Sequence, residues 1–196
     1  MKEFSPDAKL IYLLRDPVDR TISHYWWRVR NEGERRDPYK AIIKDTYYRT
    51  ISYYALQVKQ YLNLFSENQI KILTLEALKK DPISILRDLF DWLEVDNSFV
   101  PPNLNQKYNP TPKVIIRNKS KFLEKIRYSK LWERVGPLLP KSLRRFLRQL
   151  NEDIIDRENY DFTEIIKILR PIYRKQVEEL LELFDIDISC WKTLYE

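Results

Sequence analysis

Arg15 and Ser23 place a guanidinium and a hydroxyl eight residues apart, a pair able to bind an anion. Arg15 follows directly on the apolar run Leu10-Ile11-Tyr12-Leu13-Leu14, which is short enough for a strand and apolar at every position. Such a run predicts a central strand of a parallel sheet, covered on both faces. Open α/β sheets bind their ligands at the carboxyl ends of the strands, where Arg15 would stand. Asp16-Pro17 then break the strand, because proline donates no ladder hydrogen bond and restricts the residue before it. A helix is predicted from about Val18, carrying Ser23 on its first turns. The pair is then a guanidinium fork and a hydroxyl at one strand-to-helix turn, with the helix amino terminus offering N–H groups and a positive dipole end. That combination suits a phosphate. The plainer alternative is an Arg15 paired with Asp16 or Asp19, and a Ser23 that is an ordinary helix hydroxyl.

The segment Arg15-Asp16-Pro17-Val18-Asp19-Arg20, followed by Ser23-His24-Tyr25, resembles the 3′-phosphate-binding motif of sulfotransferases that use 3′-phosphoadenosine 5′-phosphosulfate (PAPS). The wording is closest to the branch of heparan-sulfate sulfotransferases and their anchorless relatives. Further resemblances follow in order. They are a helix with an early Tyr54, a strand leading to Glu76 and Leu78, a Lys80-Asp81-Pro82 helix, a Tyr108-Asn109-Pro110-Thr111 segment, and the closing Asp187 to Trp191. The resemblance implies an α/β fold with a P-loop-like parallel sheet flanked by helices, truncated at its amino end, with a mostly helical C-terminal part. It implies one domain over 1–196, with an α/β core in 1–97 and a helical extension in 98–196, basic and then acidic.

The same resemblance implies sulfuryl transfer from PAPS to a hydroxyl or amine, with Arg15 and Ser23 holding the 3′-phosphate. In the heparan-sulfate branch a basic Lys-Gly-Arg loop between paired cysteines covers the nucleotide. This chain has neither that glycine nor those cysteines, and Arg117 and Lys119 are its nearest basic candidates. The family's lysine at the leaving oxygen and its His or Glu base both precede the Arg-Ser motif. The catalytic residues are therefore unassigned here and expected upstream of Met1. Little or no transfer is expected from these residues alone.

Composition narrows the alternatives. The 196 residues hold only Gly33 and Gly136, too few for a phosphate-cradling glycine loop. One cysteine, Cys190, excludes an internal disulfide and fits a reducing, cytoplasmic location. The single histidine, His24, and the lack of a Cys/His/carboxylate cluster at ligand spacing argue against a metal site. His24 adjoins Ser23 on the predicted helix and so points about 100° away from it, which makes it a surface or supporting residue. No apolar run reaches membrane-span length.

The net charge of +6 is unevenly placed. Residues 101–150 hold 13 Lys/Arg against two acids, and 151–196 hold six Lys/Arg against 12 acids. A basic block in a folded chain points to an anionic partner, a carbohydrate or other anionic acceptor or an anionic surface, with a plain solvated face as the alternative. Two other readings stay open: a non-catalytic 3′-phosphonucleotide-binding fragment, and a basic module for membrane or polyanion contact through 113–148. Nucleic acid is disfavoured, because the block lacks a glycine-aromatic RNA motif and alternates with apolar positions.

The remaining elements are read from caps and periodicity. Asp37-Pro38 and Asp81-Pro82 each start a helix. Tyr54, Val58, Tyr61, Leu62 and Phe65 line one helical face, and Gln69 to Leu75 alternates as a strand. Ser120 predicts a helix to Val135. A basic helix follows, with Leu143, Phe146, Leu147 and Leu150 opposite Lys141, Arg144, Arg145 and Arg148. Asp161 and Glu164 predict a capping box for a last long helix that Pro171 would kink.

Overall fold

The apolar run forms strand β1, Leu10–Leu14, and the alternating segment forms β2, Ile70–Thr74. The two pair in parallel, with Leu10 opposite Ile70 and Leu14 opposite Thr74. The computed structural model describes residues 2–104, 106, 112–119, 129–135, 137 and 139–196. The Tyr108-to-Thr111 segment and the Ser120 cap lie outside the described residues.

Helix α1 spans Pro17–Asn31, one residue earlier than the sequence predicts. Next come α2 (Pro38–Lys44), α3 (Thr46–Thr50) and α4 (Tyr54–Leu62). After β2 follow α5 (Leu75–Lys80) and α6 (Pro82–Leu93). Asp37 and Asp81 cap α2 and α6 as read from their Asp-Pro pairs, their carboxylates accepting from Tyr39 and Lys40, and from Ser84.

Residues 98–196 are helical as expected in α7 (Lys130–Val135), α8 (Lys141–Asn151), α9 (Thr163–Leu181) and α10 (Lys192–Tyr195). The same stretch also contains two strands that the helical expectation left out. β3 (Val114–Asn118) pairs antiparallel with β4 (Glu152–Asp156), Ile116 opposite Ile154. Helix α9 runs through Pro171. Its N-cap is Phe162, whose side chain makes no cap hydrogen bond.

The chain divides into two compact units. One comprises residues 1–24, 37–110 and 162–196, and the other 25–36 and 111–161. Helix α9 packs on α2, α4 and α10. The core of the first unit gathers Leu14, Val18, Ala41, Ile42, Val58, Leu169, Leu180 and Leu194. Burying such side chains contributes about 1.5–3 kcal/mol each.

One expectation about β1 is corrected. Ile11 and Leu13 are each 48% exposed, so β1 is covered on one face and half-open on the other. Among the described residues its single strand neighbour is β2, and alternation along the strand turns Leu10, Tyr12 and Leu14 the other way from Ile11 and Leu13.

Candidate functional site

Arg15 and Asp16 form the turn between β1 and α1, and three distant parts of the first unit hold it. The Tyr54 hydroxyl donates to the Arg15 carbonyl at 2.8 Å. The Asp16 N–H donates to Glu76 Oε1 at 3.2 Å, and Glu76 Oε2 accepts the Trp191 indole N–H at 3.1 Å. Asp16 Oδ2 accepts the Leu194 N–H at 2.9 Å. Asp19 Oδ1 accepts the Thr193 hydroxyl at 2.8 Å. The end of β2 and the chain's closing segment thus converge on one dipeptide.

Asp16 has a second task. Its Oδ1 accepts the N–H groups of Val18 at 2.9 Å and Asp19 at 3.3 Å, capping α1. The same Asp-Pro signal that marks α2 and α6 in the sequence marks α1 as well. This corrects the expectation of free N–H groups at that helix start, since the carboxylate takes two of them. Burial raises the Asp16 carboxyl above the usual carboxylate range, the Asp19 charge adds to the rise, and the three backbone N–H groups oppose it.

The phosphate-binding task therefore falls on side chains. Arg15 is partly exposed, and Nη2 lies 3.4 Å from Asp19 Oδ2. That is a long, single contact, which leaves Nε and Nη1 without partners among the described residues. Ser23 lies four residues beyond Asp19, so both share one face of α1. Its half-buried hydroxyl makes no hydrogen bond among the described residues. Arg15, Asp19 and Ser23 thus form one stripe, with a carboxylate where a phosphate would meet both other residues. The pairing of Arg15 with Asp19 is present but weak in geometry.

Beneath the stripe, α1 is fixed by a buried hydroxyl cluster. Thr21 Oγ1 lies 2.9 Å from the Pro17 carbonyl, 2.6 Å from the Tyr173 hydroxyl and 3.2 Å from Ser52 Oγ. Burial pushes Tyr173 up to about 12, and Tyr12 likewise to about 12. Burial also raises Tyr54 above the ordinary phenol value.

His24 packs beside Tyr47 and Tyr48, with ring centroids at 5.9 and 5.6 Å. Arg117 and Lys119 belong to the second unit. Arg117 gives Nε and Nη2 to Asp153 Oδ2 at 2.9 and 2.8 Å, and Nη1 to the Glu34 carbonyl at 2.7 Å. Lys119 is exposed. A concavity of about 520 Å³, lined by Lys9, Gln69, Trp92 and Glu94 among others, opens at the amino ends of β1 and β2. Lys9 is bound there to the Trp92 carbonyl and Glu94, at the end of the strands opposite Arg15. Among the described residues no His/Cys/Asp/Glu group could hold a metal, and no helix is long and apolar enough to cross a membrane.

A parallel β1–β2 pair with a helix springing from a polar turn at the carboxyl end of its first strand defines an α/β protein. The sulfotransferase domain family matches residues 1–180, and the chain belongs to that family. The crystal structure of a sulfotransferase from Alicyclobacillus acidocaldarius matches 98% of the chain, with a TM-score of 0.62 and 24% identity. The likeness establishes the sulfotransferase fold, and the matched part spans 60% of that protein. No curated protein matches the chain.

Proposed function

We propose that the chain binds PAPS through its 3′-phosphate and serves sulfuryl transfer to a hydroxyl or amine acceptor. The carrying observation is the stripe of Arg15, Asp19 and Ser23 on a turn locked by Tyr54, Glu76 and Leu194. The half-exposed Arg15 keeps donors for a phosphate, and the Ser23 hydroxyl has no competing partner among the described residues. Of the two further basic candidates, Arg117 is committed to Asp153 and the Glu34 carbonyl, and Lys119 is exposed. PAPS would supply the activated sulfuryl group, and the residues named here would hold the 3′-phosphate end.

The acceptor we favour is an anionic carbohydrate, supported by the basic excess of residues 101–150. The heparan-sulfate-like branch and a cytoplasmic location belong to this proposal as well. A second reading, a nucleotide-binding fragment without turnover, draws on the two-glycine count. On that reading, none of the described residues is assigned the role of the lysine at the leaving oxygen or of the base.

Calorimetry with adenosine 3′,5′-bisphosphate tests the site. Arg15→Ala should weaken binding by about 1.5–3 kcal/mol, roughly 10- to 150-fold, and Ser23→Ala by about 1 kcal/mol. Unchanged affinity in both variants would sink the assignment. Radiolabelled PAPS with sugar acceptors separates the two readings, and robust turnover by these residues alone would overturn the expectation of little transfer.

A further inference from the structure

Among the described residues, helix α8 presents an exposed apolar stripe. Leu143, Phe146 and Leu150 stand at i, i+3 and i+7, one face of the helix. They are 40%, 55% and 56% exposed. The sequence of the helix, KSLRRFLRQLN, has four basic residues and no acid. Lys141 and Arg145 are exposed away from the stripe, and Arg144 borders it half-buried. Elsewhere in the second unit Lys113 is paired with Glu158 and Arg117 with Asp153. The open face of the β3–β4 ladder is apolar at Ile116 and Ile154, but Glu152 and Asp156 flank that pair on the same face. Unmatched positive charge and exposed apolar area therefore coincide on α8.

An apolar stripe beside a basic face meets both of its needs at one kind of surface. A polyanionic sugar or nucleic acid would satisfy the charges and leave Leu143, Phe146 and Leu150 in water. A bilayer with anionic headgroups takes the side chains into the acyl boundary and the cations at the headgroups. We propose that α8 is an in-plane anchor for an anionic lipid bilayer. The proposal stands apart from the nucleotide site and survives or fails independently of it.

Vesicle co-sedimentation of the full chain tests it, with phosphatidylcholine alone and with roughly 30% phosphatidylserine added. Binding is expected on the mixed vesicles and little on the neutral ones. Lys141→Gln with Arg145→Gln should weaken it about fivefold per charge removed. Leu143→Ser with Phe146→Ser should abolish vesicle binding while retention on a heparin column stays unchanged. Because all four side chains are exposed, far-UV circular dichroism should match the parent. Phe146→Trp gives an independent reading, since brominated lipid should quench the added fluorescence. No binding to the mixed vesicles overturns the proposal. So does binding that ignores the apolar substitutions, which would assign the surface to polyanions. So does concentration-dependent self-association that those substitutions abolish, which would assign the stripe to a second copy of the chain.

Discussion

The β1–α1 turn and the β3–β4–α8 region handle their polar and apolar groups in opposite ways. At the turn, polar groups are buried and answered from far along the chain. Asp16, 2% exposed, meets Leu194, and its N–H meets Glu76. In the second region one ladder face buries Ile115 and Ile155 beside the Arg117–Asp153 pair, while Ile116 and Ile154 on the other stay open. A buried, fully answered polar network specifies a single geometry, because each lost partner leaves a costly orphan. That suits a site which must hold Arg15 at a fixed angle. Open apolar faces specify no geometry of their own and gain only by meeting another surface.

The largest expected effect comes from breaking the network at its bridge. Glu76→Ala removes the acceptor of both the Asp16 N–H and the Trp191 indole N–H. Two orphaned donors should cost about 2–4 kcal/mol of stability. Urea unfolding should show a lower midpoint with an unchanged slope, and affinity for the bisphosphate should fall with it. A loss below about 0.5 kcal/mol would mean that the turn holds itself without the bridge.

Alkali probes the same contrast more gently. Burial raises Tyr12 and Tyr173 to about 12 in the folded protein and lifts Tyr54 too. The ordinary phenol value is about 10. A folded value above the unfolded one means that the contribution to stability is fully present below pH ~10. It is lost as pH rises from there through ~12. Phenolate absorbance should therefore develop in two phases, the later one coinciding with loss of helical dichroism. Tyr173→Phe should shrink the late phase, whereas one rapid phase near pH 10 with intact dichroism would contradict the burial.

The parts legible in the sequence were those written locally. The run from Leu10 to Leu14, the Asp-Pro caps of α2 and α6 and the face through Tyr54 and Val58 each carry their signal within a few residues. Asp16-Pro17 carried the same cap signal but read first as a strand stop, so the capping carboxylate was missed. The β3–β4 ladder was illegible for a different reason. Ile116 pairs with Ile154, a partner far along the chain, and the acids of β4 mask its short apolar centre. Arg15 and Ser23 were legible as a motif. Their supports were not, since Glu76, Trp191 and Leu194 meet the turn only through the fold.

In the second region, Arg117→Ala tests a contact confined to its own unit. It strips Asp153 of its cation and the Glu34 carbonyl of a donor. The expected loss is about 1–1.5 kcal/mol, read as a lower melting midpoint. Bisphosphate affinity should stay within about twofold, because the guanidinium is spent inside its own unit. A large drop in affinity with stability intact would give Arg117 a direct hold on the nucleotide.

The smallest effect has the opposite sign. Asp19 Oδ2 lies 3.4 Å from Arg15 Nη2, and its carboxylate shares a helix face with Ser23. A phosphate held by Arg15 and Ser23 must displace that contact and sit beside a negative charge. Asp19→Asn removes the charge while its amide oxygen can still accept from the Thr193 hydroxyl, so the lock on α10 persists. At a half-exposed position the relieved repulsion is about 1 kcal/mol, roughly a fivefold gain in bisphosphate affinity. The gain should shrink as salt is raised, since screening weakens the repulsion being removed. If Asp19 only braced the turn, the same change would weaken binding. Calorimetry at two ionic strengths therefore decides by sign whether Arg15, Asp19 and Ser23 form one anion site.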